Sequence, residues 1–201
     1  MKVKWVDDNY EGPNGEKLTY KLPVCPNCGV ELIEGESLQE CEMCGTKIVW
    51  EEERPTWDEY FMSIAKSAAT RSTCISSGKG AAITVENHIV ALGYSGAPAG
   101  VESCYEKGYC VKREKGFSHG TGHEVCLAVH AEMNAILSAA RIGVKINGGT
   151  IYCTHKPCSF CAKLIINSGI KRVVYAEEYA SQSTDDMLKE AQVVVERLTP
   201  D

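Results

Sequence analysis

Residues 130–161 place the tightest constraint on this chain. His130-Ala131-Glu132 is followed, 26 residues after Glu132, by Cys158-Ser159-Phe160-Cys161 behind Pro157. One imidazole and two thiolates supply three zinc ligands, and the fourth tetrahedral position stays open for water. A bound Zn²⁺ lowers the pKa of such a water from ~15.7 toward ~7. Glu132 lies two residues from the His ligand, placed to move protons rather than to bind metal. A lone C-x-x-C is often half of a structural zinc site, and His-Ala-Glu alone means little. The ordered pair with Pro before the first Cys is far more specific.

The flanking pattern says where these groups stand. A helix begins near His130 and runs to about Arg141, and a second runs from near Cys158 to Ser168-Gly169, with Gly at the usual C-cap position. Both ligand segments therefore sit at helix N-termini, whose positive dipole ends favour thiolate. Thr56-Trp57-Asp58-Glu59 is a capping box opening an earlier helix, with Trp57, Tyr60, Phe61, Ile64, Ala65 and Ala68 as its apolar face. Residues 81–85 and 88–92 form a hairpin about Glu86-Asn87, with His88 a surface residue at the turn. Further strands are expected at 150–153, where Cys153 takes a buried position, at 172–175 and at 193–195, with Thr184-Asp185-Asp186 capping a last helix. Strands alternating with helices imply an α/β sheet covered on both faces, with the site at the carboxyl ends of its strands.

Eleven cysteines are many for 201 residues. The N-terminus lacks the apolar core of a signal peptide, and no apolar run approaches the ~20 residues that span a bilayer. A cytoplasmic protein is expected, in which close Cys pairs are metal ligands rather than disulfides. Cys25-Pro26-Asn27-Cys28-Gly29 and Cys41-Glu42-Met43-Cys44-Gly45 make a C-x2-C-x12-C-x2-C zinc ribbon, each Gly permitting the tight turn of a knuckle. Residues 101–126 show no periodicity; there, four of Cys74, Cys104, Cys110, His123 and Cys126 would close a second structural zinc site, the alternative being free thiols in a loop.

Charge divides the chain. Residues 1–54 hold 6 Lys+Arg and 12 Asp+Glu, while residues 55–201 hold 15 of each, so the whole net charge of -6 belongs to an acidic ribbon arm ending at the Glu51-Glu52-Glu53-Arg54-Pro55 junction. Nucleic-acid binding draws on phosphate neutralisation by basic groups. The arm lacks them and reads as a folding staple or protein contact.

The H-x-E…P-C-x-x-C pattern is the known signature of zinc nucleobase deaminases. From about Pro55 onward the chain resembles the deoxycytidylate (dCMP) deaminases of the cytidine deaminase superfamily. The supporting stretches are residues 71–74, the Gly93–Gly100 loop, 130–137, 157–163 and 168–175. The resemblance implies a three-layer α/β/α fold around a mixed five-stranded sheet. It implies hydrolysis of dCMP to dUMP and ammonia, feeding thymidylate synthesis, with catalytic zinc on His130, Cys158 and Cys161 and Glu132 as proton shuttle. It also implies nucleotide contacts from Asn134, Arg141, Tyr179, Tyr94 and Ser95, dCTP and dTTP as effectors with Mg²⁺ accompanying an allosteric nucleotide, and a homo-oligomer, commonly a hexamer. Some phage and bacterial members carry a second zinc on residues matching Cys74, Cys104 and a His before the catalytic one. Where the family usually has Asn this chain has Ser95, one hydroxyl in place of a carbonyl and an amide. Asn134 reads equally as a packing residue, and Arg141 as a cation at a helix C-terminus. Other readings are deamination of dCTP, of 5-substituted dCMP or of a base in a polynucleotide, and a non-enzymatic zinc scaffold. Intact Glu132 has no use in a scaffold.

Overall fold

A computed structural model describes residues 4–11, 17–32, 40–48, 55–118, 121–179 and 183–199. Contacts divide the chain into two compact units, Met1–Arg54 and Pro55–Asp201. No helix among the described residues is long and apolar enough to cross a membrane.

The first unit opens with a hairpin that the sequence reading did not anticipate, β1 (Lys4–Glu11) paired antiparallel with β2 (Lys17–Val24) in the register Lys4↔Val24 to Glu11↔Lys17. Its signal was present in the Gly12-Pro13-Asn14-Gly15 turn chemistry between two runs. Two knuckles follow. Gly29 N–H donates to Cys25 O at 2.9 Å and Gly45 N–H to Cys41 O at 2.8 Å, both glycines at positive φ (76° and 66°). Cys25, Leu32, Cys41 and Ile48 are buried together as a small core.

In the second unit a five-stranded mixed sheet has the order β4-β3-β5-β6-β7. β3 (Gly80–Val85) runs antiparallel to β4 (His88–Tyr94) and to β5 (Thr150–His155). β5, β6 (Arg172–Glu177) and β7 (Val194–Arg197) are parallel. Side chains alternate between the faces. Ala81, Ile83, Ile151, Cys153, Val173 and Tyr175 enter the core beneath helices α4 (Ala131–Ile142), α5 (Ser159–Asn167) and α6 (Ser183–Glu190). Ala82, Tyr152 and Val174 enter the opposite core beneath α1 (Trp57–Ala69). This is a three-layer α/β/α architecture. Glu86 and Asn87 both take positive φ at the β3–β4 turn, and His88 is exposed beside them.

The capping box at Thr56 forms as expected. The buried face of α1 follows the expected stripe in part: Phe61 and Ala65 are buried together with Met62, and Ile64 packs against them, whereas Trp57 and Tyr60 are 51% and 44% exposed. The cause is polar. Asp58 lies on the sheet side, where Arg172 of β6 donates from Nη1 and Nη2 to its two carboxylate oxygens at 2.7 and 2.6 Å, and Tyr152 of β5 donates from its hydroxyl at 2.8 Å. Arg172 Nε also donates to Glu196 of β7 at 2.7 Å. One cluster thus fastens α1 to three strands. The unpatterned stretch holds two short helices, α2 (Cys104–Lys107) and α3 (Val111–Glu114), then a 3₁₀ turn at His123–Val125. α2 carries a second capping box, Ser103 with Glu106. Thr184, read as a cap, is fully buried inside α6.

The Arg172 guanidinium holds the Asp58 carboxyl below its usual pKa. A lowered folded-state pKa gives stability that is complete above the unfolded value of about 4 and is lost as pH falls through the folded value. Asp58→Asn should therefore cost about 1–3 kcal/mol at pH 7. Urea titrations of both proteins should show that difference shrinking below pH 4; a pH-independent difference would contradict the pairing.

Candidate active site

His130 is the N-cap of α4 and Cys158 the N-cap of α5, with Cys161 one turn into the same helix. Nδ1 of His130 lies 3.4 Å from Sγ of Cys158 and 3.4 Å from Sγ of Cys161. Zn–N near 2.05 Å and Zn–S near 2.3 Å in a tetrahedron require an N···S edge of about 3.5 Å. The three donors fit a zinc ion, and the side chains are already turned inward for it. Hydrogen bonds from Cys161 and His130 pull the Cys158 thiol far below the ordinary range, toward the thiolate that binds metal.

What brings the two helix starts together is small side chains. A Cβ at Gly93 of β4 would lie 2.1 Å from Ala131 O and 2.4 Å from Ala135 N, so only glycine lets α4 lie this close to the sheet. Ala131, Ala135 and Ala139 repeat every four residues along the helix face buried there. Nδ2 of Asn134 donates to Tyr94 O at 2.8 Å, fastening the first turn of α4 to the end of β4.

Glu132 is 7% exposed and lines a cavity with His130 and Cys158. Burial pushes its carboxyl upward from the usual value. Lys79 and Ser95, then His155, Lys156 and Tyr179, line the same cavity. So do Cys74, Cys104, Cys110, His123 and Cys126. Of these five, no three described residues bring their donor atoms within 4.8 Å of one another. Buried Cys104 has its thiol raised, with Cys110, Cys74 and Cys126 near enough to raise it further. The His123 ring lies 5.4 Å from that of His130.

Among the residues read as nucleotide contacts, Ser95 and Tyr179 line the cavity; Asn134, Tyr94 and Arg141 are not among its lining residues. Arg141 is exposed at the far end of α4 from Glu132. Lys79 lines the cavity and was not singled out from the sequence, because it stands in a loop without periodicity.

In the first unit, Sγ of Cys25 lies 3.7 Å from that of Cys44, and Sγ of Cys28 lies 3.7 Å from that of Cys41. A tetrahedral ZnS₄ site needs an S···S edge of about 3.8 Å. The quartet fits zinc.

The family of the cytidine and deoxycytidylate deaminase zinc-binding region matches residues 55–177. The chain belongs to that family. A deoxycytidylate deaminase of Mycobacterium phage D29 is 44% identical over 130 residues, covering 62% of this chain and 98% of that one. That of Schizosaccharomyces pombe is 39% identical over 148 residues, 73% of this deaminase but 45% of the yeast protein, so the chain spans under half of that relative. Among solved structures, the dCMP deaminase of cyanophage S-TIM5 in complex with dCMP and dUMP superposes with a TM-score of 0.61 at 30% identity, covering 72% of this deaminase and 98% of that chain.

Metal analysis separates the two clusters. Cys158→Ser should lower the zinc content by one ion per chain and leave the ribbon's ion in place, and Cys25→Ser should do the reverse. Unchanged zinc in either variant would remove that cluster's assignment.

Proposed function

We propose that this deaminase hydrolyses dCMP to dUMP and ammonia, supplying the substrate of thymidylate synthesis. The observation that carries the reading is a buried carboxylate, Glu132, in one cavity with His130 and Cys158, whose donor set is completed by Cys161 with both thiols 3.4 Å from Nδ1 of His130, spacings that suit zinc. Zinc held by His130, Cys158 and Cys161 would supply a Lewis acid that makes water a nucleophile near neutral pH. Glu132 accepts the proton that water gives up, passes it to N3 of the cytosine, and delivers a proton to the amino group leaving C4. One water enters and one ammonia leaves. Burial serves this role, because a proton shuttle works best with a pKa drawn toward the working pH.

The finer assignments belong to the same proposal. Cys25, Cys28, Cys41 and Cys44 hold a structural zinc that staples the acidic arm. A third ion, on four of Cys74, Cys104, Cys110, His123 and Cys126, would make three per chain; the five share a cavity, but no three of them bring their donor atoms within 4.8 Å of one another, so that site would need its side chains to turn inward on binding. The chain acts as a cytoplasmic homo-oligomer, supported by apolar side chains left exposed on α4 and α5: Leu137 at 57%, Ile142 at 63% and Phe160 at 51%. Control by dCTP and dTTP, with Mg²⁺ accompanying the effector, rests on the family resemblance.

Glu132→Gln keeps size and loses the shuttle. It should retain zinc and melting temperature while turnover falls about 10²–10⁴-fold. An ammonia-release assay across dCMP, dCTP, cytidine and single-stranded oligonucleotides should show preference for dCMP. Activity of the Gln variant within a few-fold of wild type, or preference for oligonucleotide, would overturn the assignment.

A further inference from the structure

We propose that Lys79 recognises the 5′-phosphate of the nucleotide, an inference that rests on the dCMP reading above. Lys79 immediately precedes β3, and both its backbone groups are fixed by one residue at the end of β4. Its N–H donates to Ser95 Oγ at 3.0 Å, and its carbonyl accepts from Ser95 N at 2.9 Å. Ser95 is itself held, donating through Oγ to Ser77 O at 3.2 Å and lying 2.8 Å from Ser72 Oγ. Ser95 therefore acts as an anchor for the loop, and the side chain of Lys79 leaves a rigid backbone to line the cavity.

Two of the cavity's other basic groups are engaged by carboxylates. Lys156 pairs with Asp185 at 2.7 Å and Glu178 at 3.5 Å, and Nε2 of His155 lies 3.1 Å from Glu177. Lys112 rides on the four-residue α3. Among the described residues, Lys79 makes no ion pair. Lys79 is half-buried, and its ammonium lies 5.7 Å from the centre of the Tyr179 ring. Burial pulls its pKa below the ordinary lysine value, with the more distant Glu132, Glu177 and Cys74 opposing. A half-buried cation without a contacting anion is costly, and a phosphate provides both the charge and strong charge-assisted hydrogen bonds. Cytosine is neutral at pH 7, so the phosphate is the part of dCMP that can meet this need.

The test is steady-state kinetics of wild type, Lys79→Met and Lys79→Arg on dCMP, with product inhibition by dUMP, and zinc content and melting as controls of folding. Wild-type turnover of dCMP checks the parent reading by itself; its absence would sink that reading before Lys79 is tested. Given that turnover, Lys79→Met should raise the KM for dCMP and the Ki for dUMP together by about 10- to 100-fold, the loss of a hydrogen bond to a charged group. Its kcat should stay within about three-fold, as for lost uniform binding. Lys79→Arg should recover most of the affinity, and Lys79→Gln carries the same test if the Met variant does not fold. A fall in kcat with KM and Ki unchanged would mean that Lys79 acts on Glu132 instead. That result, or no change in any constant, would overturn the proposal.

Discussion

The site depends on two helix N-termini meeting at one point. Nδ1 of His130 and the two thiols stand 3.4 Å apart only because the first turns of α4 and α5 converge there. That convergence is a packing requirement before it is a chemical one. Gly93 lets the backbone of α4 lie on β4, and three alanines on the helix face leave no larger side chain to hold it off. Interiors pack at crystal-like density, so a displacement at Gly93 would be transmitted to His130 rather than absorbed. The positive helix ends then favour the thiolates that the ligand set needs.

The same geometry gives the cavity its electrostatic character. Glu132 follows His130 on α4 by two residues, which turns it into the protein rather than toward water, and beneath it Cys153 is fully buried with its thiol raised by burial. Charges in such surroundings are poorly screened, so the few that line the cavity act on one another strongly. Lys79 and Glu132 feel each other's charge without forming an ion pair.

The parts legible in the sequence were those with a local physical signal. α4 and α5 announce themselves by ligands at one end and by Gly143 or Gly169 just past the other. The strands follow from apolar runs in which alternate residues serve two cores. Cys153 belongs to one core and its neighbour Tyr152 to the other. Less legible was what a long-range polar contact adds to a local pattern: Asp58 takes a place on the sheet side of α1 beside Phe61, Met62 and Ala65 and pairs with Arg172, 114 positions away, while Trp57 and Tyr60 stay exposed. The Ser103 capping box carried a signal of the same local kind. Lys79 carried none, since its role depends on Ser95 and Tyr179, which the chain reaches only after several reversals.

Those reversals share a geometry that explains why so many segments supply one cavity. β5 and β6 are parallel, so His155 at the end of β5, Lys156 just after it and Tyr179 just after β6 meet at a common edge, where open α/β sheets place ligands. β3 is antiparallel to β5, with Ala81 opposite Cys153, so the edge that receives the end of β5 receives the start of β3, and Lys79 with it. β4 reverses again, pairing Tyr94 with Gly80, and delivers Ser95 beside Lys79. Had β3 run parallel to β5, Lys79 would leave from the opposite edge, and no side chain is long enough to return it. The mixed sheet therefore does more than support the candidate zinc ligands. Its one antiparallel hairpin sets a lysine, anchored by a serine, beside a metal site built at the ends of parallel strands.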